Sequence, residues 1–253
     1  MELNYKEFGQ GRALIILHGL LGSLDNWQTL ARRFGEDFHV FTLDQRNHGQ
    51  SPHSAEMTYS ALAEDLHDFI EKHHLHNPIL LGHSMGGKTV MTFALKYPEK
   101  VQKLIVADIS PKDYGISHRE ILEALSSVNF NVLKDRKSIQ DHLMQRINNL
   151  GIVLFLTKNI FWEDKDKLAF RFNLPVLSDS IAHLSGWEPN QGRYSGSTLF
   201  IRGGNSPYVD DADPAAKSQF PNSEIETIPG AGHWLHAEKP EEFYHMVRSY
   251  ILG

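Results

Sequence analysis

The chain has 253 residues, of which 41% are apolar and 22% charged, the proportions of an ordinary folded protein long enough for one large α/β domain with an inserted subdomain. A formal charge of −6 argues against nucleic acid or an anionic membrane surface as the main partner. The chain has no cysteine, which excludes disulfides, thiolate metal sites and a cysteine nucleophile, and agrees with a cytoplasmic location.

Met1–Glu7 has neither the basic start nor the apolar run of a signal peptide, and no stretch approaches the roughly 18 apolar residues of a membrane span. Leu3–Phe8 is expected to pair as a hairpin with the strand Ala13–Leu17 through Gly9-Gln10-Gly11. Helix Asn26–Phe34, strand Val40–Leu43, helix Tyr59–His73, strand Ile79–Leu81, helix Met85–Tyr97 and strand Leu104–Ala107 follow in alternation. Tyr59–His73 sets Leu62, Leu66, Phe69 and Ile70 on one helical face. The rhythm breaks between about Pro111 and Trp187, a stretch helical in character without clear strand alternation. It resumes with strand Thr198–Ile201, helix Pro214–Phe220, strand Glu224–Ile228 and helix Pro240–Leu252. Such alternation predicts a mostly parallel sheet with helices on both faces, formed by residues 1–110 and 191–253. Residues 111–190 are read as an inserted helical cap, with Glu188–Gly196 as its Pro- and Gly-bearing return linker.

The chemistry concentrates at three places. Gly82-His83-Ser84-Met85-Gly86 joins the strand Ile79–Leu81 to a helix, and a serine with glycines two residues to either side fits a sharp strand-to-helix turn. The turn strains Ser84 and lifts its hydroxyl clear, while the close approach of strand and helix admits only glycine at 82 and 86. A serine hydroxyl needs a base, and Gly230-Ala231-Gly232-His233-Trp234 presents His233 on a tight loop after the last strand. The acid that orients His233 has two possible sources. Asp108 ends the strand Leu104–Ala107, at the same sheet edge as Ser84; Asp210 and Asp211 follow the strand Thr198–Ile201, where Gly203-Gly204-Asn205-Ser206 carries Ser206 in place of an early aspartate. The amide of Met85 and that of Leu20, in the loop His18–Ser23, are the expected oxyanion donors. Asp44 and Arg46 are expected to pair and to brace that loop, and Lys88 and Lys96 to be solvated. Phe155, Phe161, Trp162, Phe170 and Phe172 suit either an acyl pocket or the core of the cap. His73, His74 and His76 end a helix, where imidazole suits the last carbonyls, and are not read as a metal site.

Together these motifs resemble the α/β-hydrolase superfamily over essentially the whole chain. Asp44–Ser51, Gly82–Lys88, Arg202–Tyr208 and Gly232–Pro240 look like those of the YbfF-type esterases, a pattern shared by a mitochondrial branch in animals. The resemblance implies an α/β-hydrolase fold with an eight-stranded, mostly parallel sheet, and a Ser84–His233–Asp108 triad, since in that branch the acid follows the strand after the nucleophile helix. It implies a helical cap and hydrolysis of esters or acyl thioesters, with no cofactor and no metal; the apolar content of the cap points to small to medium acyl groups. Carbon–carbon bond hydrolysis or lyase chemistry, as in menaquinone-pathway enzymes, is the alternative use of the same triad.

Overall fold

Short runs of Leu, Ile and Val become strands here because alternate side chains are buried on opposite faces of one sheet. In the computed structural model, which describes residues 1–115, 118–187 and 192–253, β1 is Tyr5–Phe8, β2 Ala13–Leu17, β3 His39–Leu43, β4 Ile79–His83 and β5 Lys103–Ala107. A hairpin, β6 (Ile160–Asp164) and β7 (Lys167–Phe170), stands apart from the sheet, which β8 (Thr198–Gly203) and β9 (Ser223–Ile228) complete. The sheet order is β1-β3-β2-β4-β5-β8-β9, parallel except for β1. Ile15, Leu17, Leu80, Leu104 and Val106 point into one core, whereas Leu14, Ile16, Leu81, Ile105 and Ala107 point into the other. Helices α2 (Tyr59–Lys72), α3 (Met85–Lys96) and α9 (Pro214–Gln219) cover the first face, and α1 (Gln28–Phe34), the short α10 (Leu235–Glu238) and α11 (Pro240–Leu252) the second. Thr58 caps α2 by accepting from the Ala61 amide, and Leu62, Leu66, Phe69 and Ile70 are all buried, as their spacing predicts.

Three expectations are corrected. The sheet has seven strands among the described residues, not eight. Strand β1 does not form a hairpin with β2: it pairs antiparallel with β3, Tyr5 opposite Leu43, and β3 lies between them. Gly9 and Gly11, both at positive φ, carry the chain around the end of α1 where it enters β3, and the His39 amide donates to the Arg12 carbonyl. The segment between β5 and β8 is not purely helical. It holds α4 (Arg119–Ser126), α5 (Arg136–Ile147), α6 (Leu150–Thr157), α7 (Leu174–Asp179) and α8 (Ile181–Ser185), but also the β6–β7 hairpin. These elements share a core of their own, including Leu125, Ile139, Leu143, Leu156, Leu168 and Leu177, into which Leu21, Leu62 and Met85 of the sheet unit also pack. Residues 188–191 of the expected return linker, and with them its boundary at 190, lie outside the described residues. Among the described residues no helix is long and apolar enough to cross a membrane.

Candidate active site

Ser84 stands between β4 and α3 with φ 53° and ψ −116°, in the positive-φ half of conformational space that a serine enters only under constraint. The constraint comes from both sides. The Ser84 amide donates to the Ala107 carbonyl (3.0 Å) and its carbonyl accepts from the Lys88 amide (3.0 Å), continuing the sheet on one side and starting the helix on the other. A Cβ on Gly86 would lie 2.5 Å from the Leu17 carbonyl oxygen, and one on Gly82 would run into the backbone of Gly86. Glycine at both positions is therefore a condition of the turn.

The loop after β9 carries His233 over Ser84, and its Nε2 lies 3.0 Å from the Ser84 hydroxyl oxygen. On the other side of the ring, Nδ1 lies 2.8 Å from Asp108 Oδ2. Asp108 is fully buried at the end of β5; its Oδ1 accepts from the Gly203 amide (2.9 Å) and its Oδ2 accepts the Ser206 hydroxyl. The two other carboxylates considered from sequence are elsewhere: Asp210 is ion-paired to Lys112 at 3.0 Å, and Asp211, largely exposed, is ion-paired to Arg202. Ser206 occupies the place from which an aspartate would otherwise reach the histidine, and it donates to the carboxylate that does so.

The loop that follows β2 is held by a buried polar network rather than by the Asp44–Arg46 pair expected from sequence. Arg46 instead pairs with Asp65 of α2, Nε to Oδ2 at 2.6 Å, while Asp44 accepts from the Leu24 amide (2.8 Å) and the Gln50 amide (2.9 Å). His48 Nε2 accepts from the Leu21 amide at 3.1 Å, and its Nδ1–H donates to the Arg46 carbonyl at 2.9 Å. His18 works in the same way, accepting the Gln45 amide at Nε2 (3.0 Å) and donating from Nδ1 to the Gly19 carbonyl (2.8 Å). Each ring needs one bare nitrogen, and burial accordingly pushes the pKa of His18 down to about 4 and that of His48 down to about 3. With its neighbours so tied, the Leu20 amide makes no hydrogen bond among the described residues. The Met85 amide is the first of α3 and has no acceptor within its own helix. Both flank Ser84.

The chain is similar to known proteins over most of its length. A family model described as the alpha/beta hydrolase fold matches residues 12–132. An esterase of Escherichia coli, YbfF, is 38% identical over 94% of this chain and 92% of its own length. The chain belongs to the α/β-hydrolase family. This hydrolase is also 36% identical, over 94% of its length and 80% of the other's, to a protein of Mus musculus named as an sn-1-specific diacylglycerol lipase. The solved structure of a marine microorganism esterase superposes on it with a TM-score of 0.96, at 40% identity and covering 98% of this chain and 99% of that one.

Ser84 opens onto two cavities. The first runs past His233 and Trp234, between Trp27 and His236 on one side and Ile121, Ile152 and Phe155 on the other. The second lies under Leu20, Met85, Ile109, Ile181 and Leu184, with Tyr59, Tyr114, Tyr208 and Lys88. The cap aromatics divide between the roles weighed for them: Phe155 lines the first cavity, Phe172 is buried in the cap core with Phe170 stacked on it, and Trp162 is exposed. Three residues at the site lie within the motifs quoted above, yet the sequence alone gave none of them a role there. His83 donates from Nε2 to the backbone carbonyl of His233 at 2.8 Å, and Tyr208 stacks on the His233 ring at 4.2 Å. The third, Lys88, is not solvated as expected: only 1% of its surface is exposed. Its i, i+4 spacing from Ser84 on the helix was the one available hint. Lys96 lies at the surface and pairs with Glu64.

Proposed function

We propose that this hydrolase cleaves carboxylic esters and acyl thioesters of small to medium acyl chain through a Ser84–His233–Asp108 triad. The observation that carries the reading is the continuous hydrogen-bonded chain from the Ser84 hydroxyl through both nitrogens of His233 to Asp108. The Ser84 Oγ–C bond forms as Nε2 of His233 takes the hydroxyl proton and the carbonyl π electrons move onto oxygen. Asp108 fixes the tautomer that leaves Nε2 bare and offsets the charge of the imidazolium. The amides of Leu20 and Met85 receive the oxyanion, an interaction stronger in the transition state than with the ground-state carbonyl. Collapse of the intermediate breaks the bond to the leaving oxygen or sulfur, which takes the proton from Nε2. Water, deprotonated by the same nitrogen, then releases the acid and restores Ser84.

The leaving atom must lie within reach of Nε2, which assigns the alcohol or thiol to the cavity lined by His233 and the acyl group to the other. Residues 111–190 act in this reading as a cap whose α8 closes the acyl cavity. The test is hydrolysis of p-nitrophenyl esters, acetate through decanoate, by the wild type and by Ser84→Ala. Turnover with one preferred chain length, lost in the variant, is the expected result. Equal turnover by Ser84→Ala would remove the nucleophile from the reading, and no turnover by folded wild type would turn attention to carbon–carbon bond hydrolysis.

A further inference from the structure

Lysine is among the residues least often fully buried, because an ammonium withdrawn from water loses several kcal/mol of hydration unless a partner replaces it. Lys88 is 1% exposed, one helical turn beyond Ser84. Its Nζ donates to the carbonyls of Ser185 (2.9 Å) and Gly186 (2.6 Å), at the end of α8. The third N–H has no acceptor among the described residues, and the rings of Tyr114 and Tyr59 stand 5.0 Å and 5.7 Å from the nitrogen. No carboxylate among the described residues forms an ion pair with it; the exposed Asp113 acts on it only from farther away. Burial draws its pKa down to about 8, so the side chain is still largely charged at neutral pH. This cation lines the cavity that opens from Ser84 on the side away from His233.

Resting on the proposed esterase reading, we propose that Lys88 binds a carboxylate at the far end of the acyl group, making half-esters and half-thioesters of short dicarboxylic acids the preferred substrates. The carbonyls at the end of α8 satisfy part of the ammonium and hold it in place, leaving one donor and an unneutralised charge for the ligand. Leu20, Met85, Ile109, Ile181 and Leu184 give this cavity an apolar part that suits the methylene spacer of such an acid. A neutral acyl chain of the same shape would leave the buried cation without its counter-charge, so the site discriminates by charge more than by length.

The experiment compares monoethyl succinate with ethyl 4-methylpentanoate, whose branched end has the shape of the carboxylate without its charge, by proton release in a pH-stat. Wild type is expected to favour the half-ester in kcat/KM by at least about tenfold, the scale of one charge-assisted hydrogen bond. Lys88→Met, and Lys88→Gln should that variant not fold, are expected to bring the ratio to one or below, whatever happens to the absolute rates. If Lys88 only ties α3 to α8, both esters lose rate together and the ratio is unchanged, which overturns the proposal. A wild-type preference for the neutral ester overturns it as well. Turnover of neither ester overturns the esterase reading and this inference with it, whereas turnover of the neutral ester alone overturns only the inference.

Discussion

Replacing Asp108 by asparagine tests the triad at its most constrained member. The carboxylate accepts three hydrogen bonds, from the Gly203 amide, the Ser206 hydroxyl and His233 Nδ1, and donates none. An asparagine that keeps its oxygen toward the Gly203 amide turns its NH2 toward His233. The imidazole must then present a bare Nδ1 and carry its proton on Nε2, where it points at Ser84 and cannot accept. The reversed amide sets two donors face to face at Gly203, at a cost of about 1–3 kcal/mol for the buried group left unpaired. The first rotamer therefore prevails, and the fold survives while the base does not. A wrong-tautomer triad loses on the order of 10⁴ in kcat, equivalent to about 5.4 kcal/mol of transition-state stabilisation. The assay is kcat and KM on the best p-nitrophenyl ester, with urea unfolding as the control for folding. Because the interaction is made in the transition state, kcat and kcat/KM should fall together. Asp210→Asn and Asp211→Asn remove only surface ion pairs and should stay near wild type. A loss below about tenfold for folded Asp108→Asn, or a comparable loss at Asp210 or Asp211, would refute the argument.

Two further outcomes follow from groups held against their preference. Ser84→Gly should abolish turnover yet stabilise the fold by about 1 kcal/mol, since it relieves roughly 1–3 kcal/mol of backbone strain and gives back part as glycine entropy; an unfolding midpoint lower than wild type would contradict the strain. The second concerns acid. His18, His48 and His236 have folded pKa values of about 4, 3 and 3, all below the ordinary 6.5, so between these limits the unfolded chain binds more protons. Stability is therefore complete above about pH 6.5 and is lost as pH falls, by about 2 kcal/mol per histidine and about 6 kcal/mol together down to pH 5. Equal urea midpoints at pH 7 and pH 5 would show that these rings are not buried as neutral species.

How much of this was readable in advance depended on whether a feature is local. The turn at Ser84 was legible because strain and close approach are written into five consecutive residues, and α2 because its face repeats every 3.6 residues. The pairing of β1 was not: Gly9-Gln10-Gly11 reads equally as a hairpin turn and as the loop it is, and only the parallel insertion of β3 beside β2 decides between them. The β6–β7 hairpin went unseen because its partners are short and the outer half of β6, from Trp162 to Asp164, is exposed, which leaves little alternation to detect. Lys88 was misread for a similar reason. A lone lysine on a helix is solvated unless something covers it, and the cover comes from α8, almost a hundred residues further along the chain.

The placement of Asp108 beside Ser84 follows from strand register. Strands β4 and β5 are neighbours and parallel, with His83 opposite Ala107, so Ser84 and Asp108 take the next step at the same level of adjacent strands. Both turn to positive φ at that step, 53° and 51°, and both keep one rung of the ladder: the Ser84 amide on the Ala107 carbonyl and the Asp108 amide on the Ile201 carbonyl, at 2.8 Å. Each departure costs on the order of 1–3 kcal/mol, affordable only because the rungs below are fully formed and dry. Two side chains displaced in the same way from neighbouring strands leave a gap above the sheet edge that one imidazole spans, with one nitrogen for each. An acid supplied from the Ser206 position would reach the same nitrogen from β8, one strand further on. In this chain that position carries a hydroxyl instead, and its proton is given to Asp108. The carboxylate is thus held by the strand that carries it and by the loop that would otherwise have supplied it.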